Sequence, residues 1–157
     1  MVDQSDEFDW FFKILPIVLG GVLLYYMLWG SPEPQSPPEN RLVYGCYGTT
    51  GGPPIKLDQN GMKVLQDGFP MIGFHLERHK QGIALATEAP IRLEPIETYY
   101  RYEIADRGIG QFLDFYKVIN GKVYGVFEDN ELGPFRMLAM DGRYLPYTKV
   151  AASDCGD

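Results

Sequence analysis

The sequence predicts an all-β globular domain, a small sandwich or barrel of about ten short strands, behind a single N-terminal transmembrane helix. Three observations carry this expectation. Residues 10–29 form a twenty-residue apolar run in which Lys13 is the one charge. Beyond residue 40, short runs of branched and aromatic residues alternate with Gly, Asn, Asp and Pro turn signals. No long stretch of that region shows the 3.6-residue apolar period of an amphipathic helix.

The apolar run begins at Trp10 and ends at Trp29. At about 1.5 Å per residue such a helix covers roughly 30 Å, the thickness of a bilayer's hydrocarbon core. Trp10, Trp29, Tyr25 and Tyr26 fall where amphipathic rings prefer the membrane interface. Lys13 is close enough to one end for its ammonium to reach the surface. A cleaved signal peptide is disfavoured: Asp3, Asp6, Glu7 and Asp9 precede the run without a Lys or Arg, and no small-residue cleavage site follows. The segment therefore reads as a signal-anchor. The expected organisation is an acidic tail (1–9), a transmembrane helix (10–29), a proline-rich linker (30–40) and an extracytoplasmic β-domain (41–157). Four prolines within residues 31–40 make the linker extended and semi-rigid.

Within the domain, residues 41–47 read as a first strand, and Gly48 to Pro54 as a loop. Ile55–Leu57 and Met62–Leu65 flank a turn at Asp58 to Gly61. From Met71 to Glu77 the residues alternate, with Ile72, Phe74 and Leu76 on one face and His75 and Glu77 on the other. Strands follow at 83–87, 91–93 and 98–104, the last with Tyr100, Tyr102 and Ile104 on one face. The clearest hairpin runs from Phe112 to Phe127 with Asn120-Gly121 at its tip, because a two-residue type I′ turn needs positive φ at both positions. Strands at 135–139 and 143–150 flank a last turn at Asp141-Gly142.

The net charge is −7, and residues 1–39 hold six acidic residues against Lys13. The domain itself is nearly neutral with dispersed charges, which is not the footprint of a nucleic-acid binder. Cys46 and Cys155 are the two cysteines, near the beginning and end of the domain. A disulfide between them is expected, and it implies an oxidising compartment. Basic residues near the run do not decide its orientation, so the cysteines do: N-terminus inside, domain outside. A bacterial inner membrane with the domain in the periplasm suits a chain with few cysteines and no Asn-x-Ser/Thr sequon.

Chemistry is sparse. His75, Glu77 and His79 share one face of a strand, yet positions four apart on a strand lie about 13 Å apart, too far for one tetrahedral ion. Ser153 is the domain's only serine and has no histidine near it. Acidic residues such as Glu77 and Asp114 could meet across a sheet. No cofactor, metal ligand or catalytic residue is assigned. Tyr99, Tyr100, Tyr102, Phe112, Phe115, Tyr116 and Tyr124 crowd a short region, as β-core or as a contact platform.

These features point to a non-enzymatic interaction or accessory subunit of a membrane or envelope complex, with the membrane and other envelope proteins as partners. A β-domain binding a lipid or glycan is the second reading, and a hydrolase with an acidic site the third. The expected partner surface is one face of the 112–127 hairpin: Leu113, Phe115, Lys117, Lys122, Tyr124 and Val126. Its charges rim apolar residues, as at interfaces. The opposite face, with Phe112, Tyr116, Val118, Val123 and Phe127, is assigned to the core because its apolar set reaches the turn.

Overall fold

The computed structural model describes residues 14–25 and 36–156. The chain divides into two units, Met1–Gln35 and Ser36–Asp157. In the first, residues 14–25 form a helix of apolar residues, two glycines, a proline and a tyrosine, and every one is exposed. At 1.5 Å per residue it is about 18 Å long. No helix among the described residues is long and apolar enough to cross a membrane. The expected span over 10–29 extends past both ends of this helix, onto residues outside the described ones. The acidic tail 1–9 and the linker up to residue 35 lie outside them as well.

The second unit is built on eleven antiparallel strands: β1 (Gly45–Gly48), β2 (Ile55–Asp58), β3 (Gly61–Val64), β4 (Phe74–His79), β5 (Gly82–Thr87), β6 (Ile91–Ile96), β7 (Tyr99–Ile104), β8 (Phe112–Ile119), β9 (Lys122–Gly125), β10 (Phe135–Leu138) and β11 (Tyr144–Val150). Eight of them follow one another in the order β3-β2-β1-β11-β10-β8-β5-β4. The ends of this path meet just ahead of β4, where Met62 N–H donates to Ile72 O at 2.8 Å and Ile72 N–H to Met62 O at 3.1 Å. The path thus curls into a small barrel held shut by this one bridge, and the edge of β4 is left to side chains. Gly61 permits the closure: its φ is +139°, and a Cβ there would lie 2.5 Å from the Ile72 carbonyl oxygen. β11 turns the corner of the barrel, pairing through Tyr144–Tyr147 with β10 and through Thr148–Val150 with β1.

Alternation fills the interior. Phe74, Leu76, Leu113, Phe115, Phe135, Met137, Leu145 and Tyr147 are buried. The Phe135 ring stacks on Tyr147 with centroids 5.2 Å apart and meets Tyr47 at 4.9 Å and Phe115 at 5.7 Å. The separate β6–β7 hairpin adds Ile91, Leu93 and Tyr102 to the same core. Gln66 holds it in place, its side-chain amide accepting from Tyr102 N–H and donating to Tyr102 O, both at 2.8 Å. Its turn is Glu97-Thr98, where Ile96 pairs with Tyr99 and Glu97 adopts φ +53°. That conformation disfavours a side chain with Cβ, and no Gly or Asn stands there to signal the turn.

The unit starts earlier than residue 41. Pro38 is buried, residues 40–43 form a 3-10 turn, and the opening strand expected over 41–47 begins only at Gly45. Cys46 and Cys155 are joined, with Cα atoms 5.9 Å apart and a sequence separation of 109. A bridge closing so long a loop restricts the unfolded chain strongly. Reducing it is expected to lower stability by about 2–4 kcal/mol. Thermal melts with and without reductant check this; an unchanged melting temperature would show that the bridge contributes nothing.

Candidate interaction surface

The β8–β9 hairpin has the register that Asn-Gly dictates. Ile119 faces Lys122, Val118 faces Val123, Lys117 faces Tyr124 and Tyr116 faces Gly125. Asn120 and Gly121 have φ of +52° and +76°, as a type I′ turn requires. The assignment of its faces is corrected. Leu113, Phe115 and Val126 are fully buried, so they line the core and form no contact surface. Phe112, Val118, Val123 and Phe127, expected inside, are 43%, 59%, 49% and 52% exposed.

The reason lies in how far the hairpin extends. β8 pairs with β5 only through Phe112–Asp114, and with β10 only at Asp114 and Phe115. From Lys117 onward its strand partner is β9 alone. The distal half is therefore an arm beyond the barrel wall, and residues near its tip do not report which face is core. Of the expected surface residues, Lys122 and Tyr124 are exposed on this arm. Lys117 is half-buried and paired with Glu131 at 2.6 Å. The apolar residues the arm exposes are Val118, Ile119, Val123 and Tyr124.

In a two-residue hairpin the pair next to the tip exchanges hydrogen bonds, and the following pair directs its backbone N–H and C=O outward. Val118 and Val123 are that pair. No described group bonds their outward amides or carbonyls. Among the described residues, the edges of β4, β6 and β7 carry contacts. The Asn40 side chain mimics a strand along β4, donating to Phe74 O at 3.1 Å and accepting from Leu76 N–H at 3.0 Å. Arg78 Nε donates to Ser36 O at 3.2 Å, and Arg78 also holds Phe127 O and Asp129. Gln66 occupies the edge of β7, and Met140 N–H donates to Leu93 O on β6 at 2.9 Å. A protein that blunts these edges leaves the arm bare.

The outer wall at β4, β5 and β8 brings the histidines and acids of the sequence reading onto one face. His75 Nε2 lies 2.7 Å from Glu77 Oε1, and His79 Nε2 lies 3.6 Å from Asp114 Oδ1. Glu77 and Asp114 both align with Ala84 from opposite sides, so at two strand spacings they sit roughly 10 Å apart. They do not form a carboxylate pair; each has a histidine beside it instead. Among the described residues, no group of three or more His, Cys, Asp or Glu side chains is placed to hold a metal ion. Next to Asp114 in register, Arg136 stands over the Tyr144 ring at 4.3 Å and the Tyr116 ring at 5.9 Å.

An open cleft of about 780 Å³ lies between Pro90–Arg92 and the 105–111 loop. Arg92, Arg107, Ile91 and Ile109 contribute to its lining, and no aromatic side chain does. Of the aromatics on which a lipid- or glycan-binding site was expected, Tyr102 and Phe115 are buried in the core, Tyr124 is exposed on the arm, and Tyr99 and Phe112 are exposed elsewhere. What the sequence reading missed is the bare edge at Val118 and Val123; its signal was an apolar pattern that continues to the tip on both faces. Comparison of the chain with protein-family models, curated proteins and solved structures gives no match.

Proposed function

We infer that this chain is a membrane-tethered interaction module whose β-barrel docks a protein partner by strand addition to the arm at β9. The bare backbone edge at Val123 carries this reading. Main-chain hydrogen bonds to an added strand supply affinity, and the exposed apolar side chains on either side supply selectivity. A two-stranded ribbon is marginal alone in water, and a third strand would stabilise it.

The tether is supported by composition and exposure. Residues 14–25 carry no charge and bury none of their apolar side chains, a surface that lipid or another helix must cover. The full run 10–29 has the length of a span and interfacial tryptophans at its ends. The cysteine bridge favours an oxidising side, so the domain lies in the periplasm of a bacterial inner membrane on this reading.

Val123→Pro tests the docking edge. Proline deletes the outward N–H while leaving the β8–β9 hydrogen bonds intact, which edge strands tolerate. The full chain, gently extracted from its membranes, is expected to migrate as an assembly larger than one chain. The Val123→Pro chain is expected to lose that assembly with its melting temperature retained. An unchanged assembly would overturn the docking site. An alkaline carbonate wash that releases the intact chain from membranes would overturn the tether.

A further inference from the structure

The bare edge of β9 is complementary to itself. We propose that the strand added to β9 is β9 of a second copy of this chain, antiparallel, about a two-fold axis beside Val123. The proposal rests on the strand-accepting reading above and names the partner of that same edge.

Val123 turns both its N–H and its C=O to the outside of the hairpin. Two copies related by a two-fold axis would exchange two hydrogen bonds between Val123 and Val123 of the second copy, the reciprocal pair of an antiparallel ladder. The flanking side chains fit this register. Antiparallel pairing about Val123 sets Lys122 opposite Tyr124 of the second copy, and Tyr124 opposite its Lys122. No like charges face each other, and each ammonium lies beside a phenol ring. The hairpin already contains the same combination, with Lys117 opposite Tyr124.

On the other face, Val118 and Val123 of each copy would form one row of four valines across a continuous β8-β9-β9-β8 sheet. Branched residues in such a row are favourable cross-strand neighbours. The ion pair of Lys117 with Glu131 stays intact. A four-residue edge is small beside the roughly 1,600 Å² of a standard interface. The dimer is therefore weak in bulk and is strengthened when both copies are held in one membrane, where their effective concentration rises.

Single cysteines in the full chain test the register. Two-fold pairing brings Cα atoms at position 123 to about 5.5 Å, within disulfide reach. Under mild oxidation the Val123→Cys chain is expected to give a disulfide-linked dimer on a non-reducing gel. The Val118→Cys chain, altered on the opposite edge of the same arm, is expected to stay monomeric. Val123→Pro is expected to abolish dimer formation by an amine-reactive cross-linker. Equal cross-linking at 118 and 123, or none at 123 in a chain with the parent melting temperature, would overturn the proposal. If Val123→Pro dissolves the native assembly while Val123→Cys yields no dimer, the edge binds another protein and only the second-copy assignment falls. If neither substitution has an effect, the strand-accepting reading falls with it.

Discussion

Phe115→Lys is expected to leave the barrel unfolded. Phe115 is 1% exposed and meets the Phe135 ring edge-on. Removing a buried Phe costs about 3–5 kcal/mol in lost burial and residual cavity. The ammonium that replaces it finds no described carboxylate at this depth, and an unpaired buried charge adds several kcal/mol more. Together these reach the roughly 5–15 kcal/mol by which whole domains are stable. Tyr124→Lys, nine residues further along the same hairpin and 46% exposed, is expected to change stability by less than about 1 kcal/mol. Circular dichroism and thermal melts of the two variants check the contrast. A folded Phe115→Lys domain with a near-parent melting temperature would place Phe115 on the surface and reverse the hairpin's faces.

The second large effect is alkaline. Burial raises Tyr47 to about 12, and it raises Tyr147 as well. Tyr102 is pushed well above its usual value by burial, and then by the neighbouring Tyr147. All three stay protonated to donate: Tyr47 Oη to Val43 O at 2.9 Å, Tyr102 Oη to Tyr147 Oη at 2.9 Å, and Tyr147 Oη to Pro53 O at 3.3 Å. An unfolded tyrosine titrates near pH 10. Because the folded values are higher, their stabilisation is complete below pH 10 and is lost as pH climbs toward the folded values. Each tyrosine contributes a slope of about 1.4 kcal/mol per pH unit there, so three remove about 4 kcal/mol by pH 11. Melting temperatures measured from pH 8 to 11.5 should hold steady and then drop steeply above pH 10. Tyr102→Phe should reduce the steepness by about a third while costing roughly 1 kcal/mol at neutral pH. A flat profile through pH 11 would mean that these hydroxyls ionise as freely folded as unfolded.

The β architecture was legible because its signals are local. Asn120-Gly121 determines a hairpin register, alternation assigns Phe74 and Leu76 inward, and two cysteines leave one intramolecular pairing. Three features had no local signal. Barrel closure depends on one bridge between Met62 and Ile72, a contact made by topology. The Glu97 turn uses a residue that turn statistics do not favour. The faces of β8 and β9 were ranked the wrong way round, because both are apolar and the hairpin outruns the barrel. Phe115 is core because β10 places Phe135 opposite it, and nothing within residues 112–127 encodes that neighbour. The same limit applied to the surface: Lys117 reads as a rim charge in sequence, yet Glu131 holds it.

The bridge between Cys46 and Cys155 has a topological consequence for proteolysis. It turns residues 46–155 into a covalent ring that encloses every strand except the first residue of β1. A protease that cuts the arm, the 105–111 loop or any other point of the ring opens it without releasing a fragment. Both halves remain linked through sulfur, and the strands of each stay paired with those of the other. Only a cut ahead of Cys46 detaches the barrel from the residues before it. Shedding and internal nicking are thus separate events in this chain, and once the bond is reduced only strand pairing holds the two pieces of a nicked domain together.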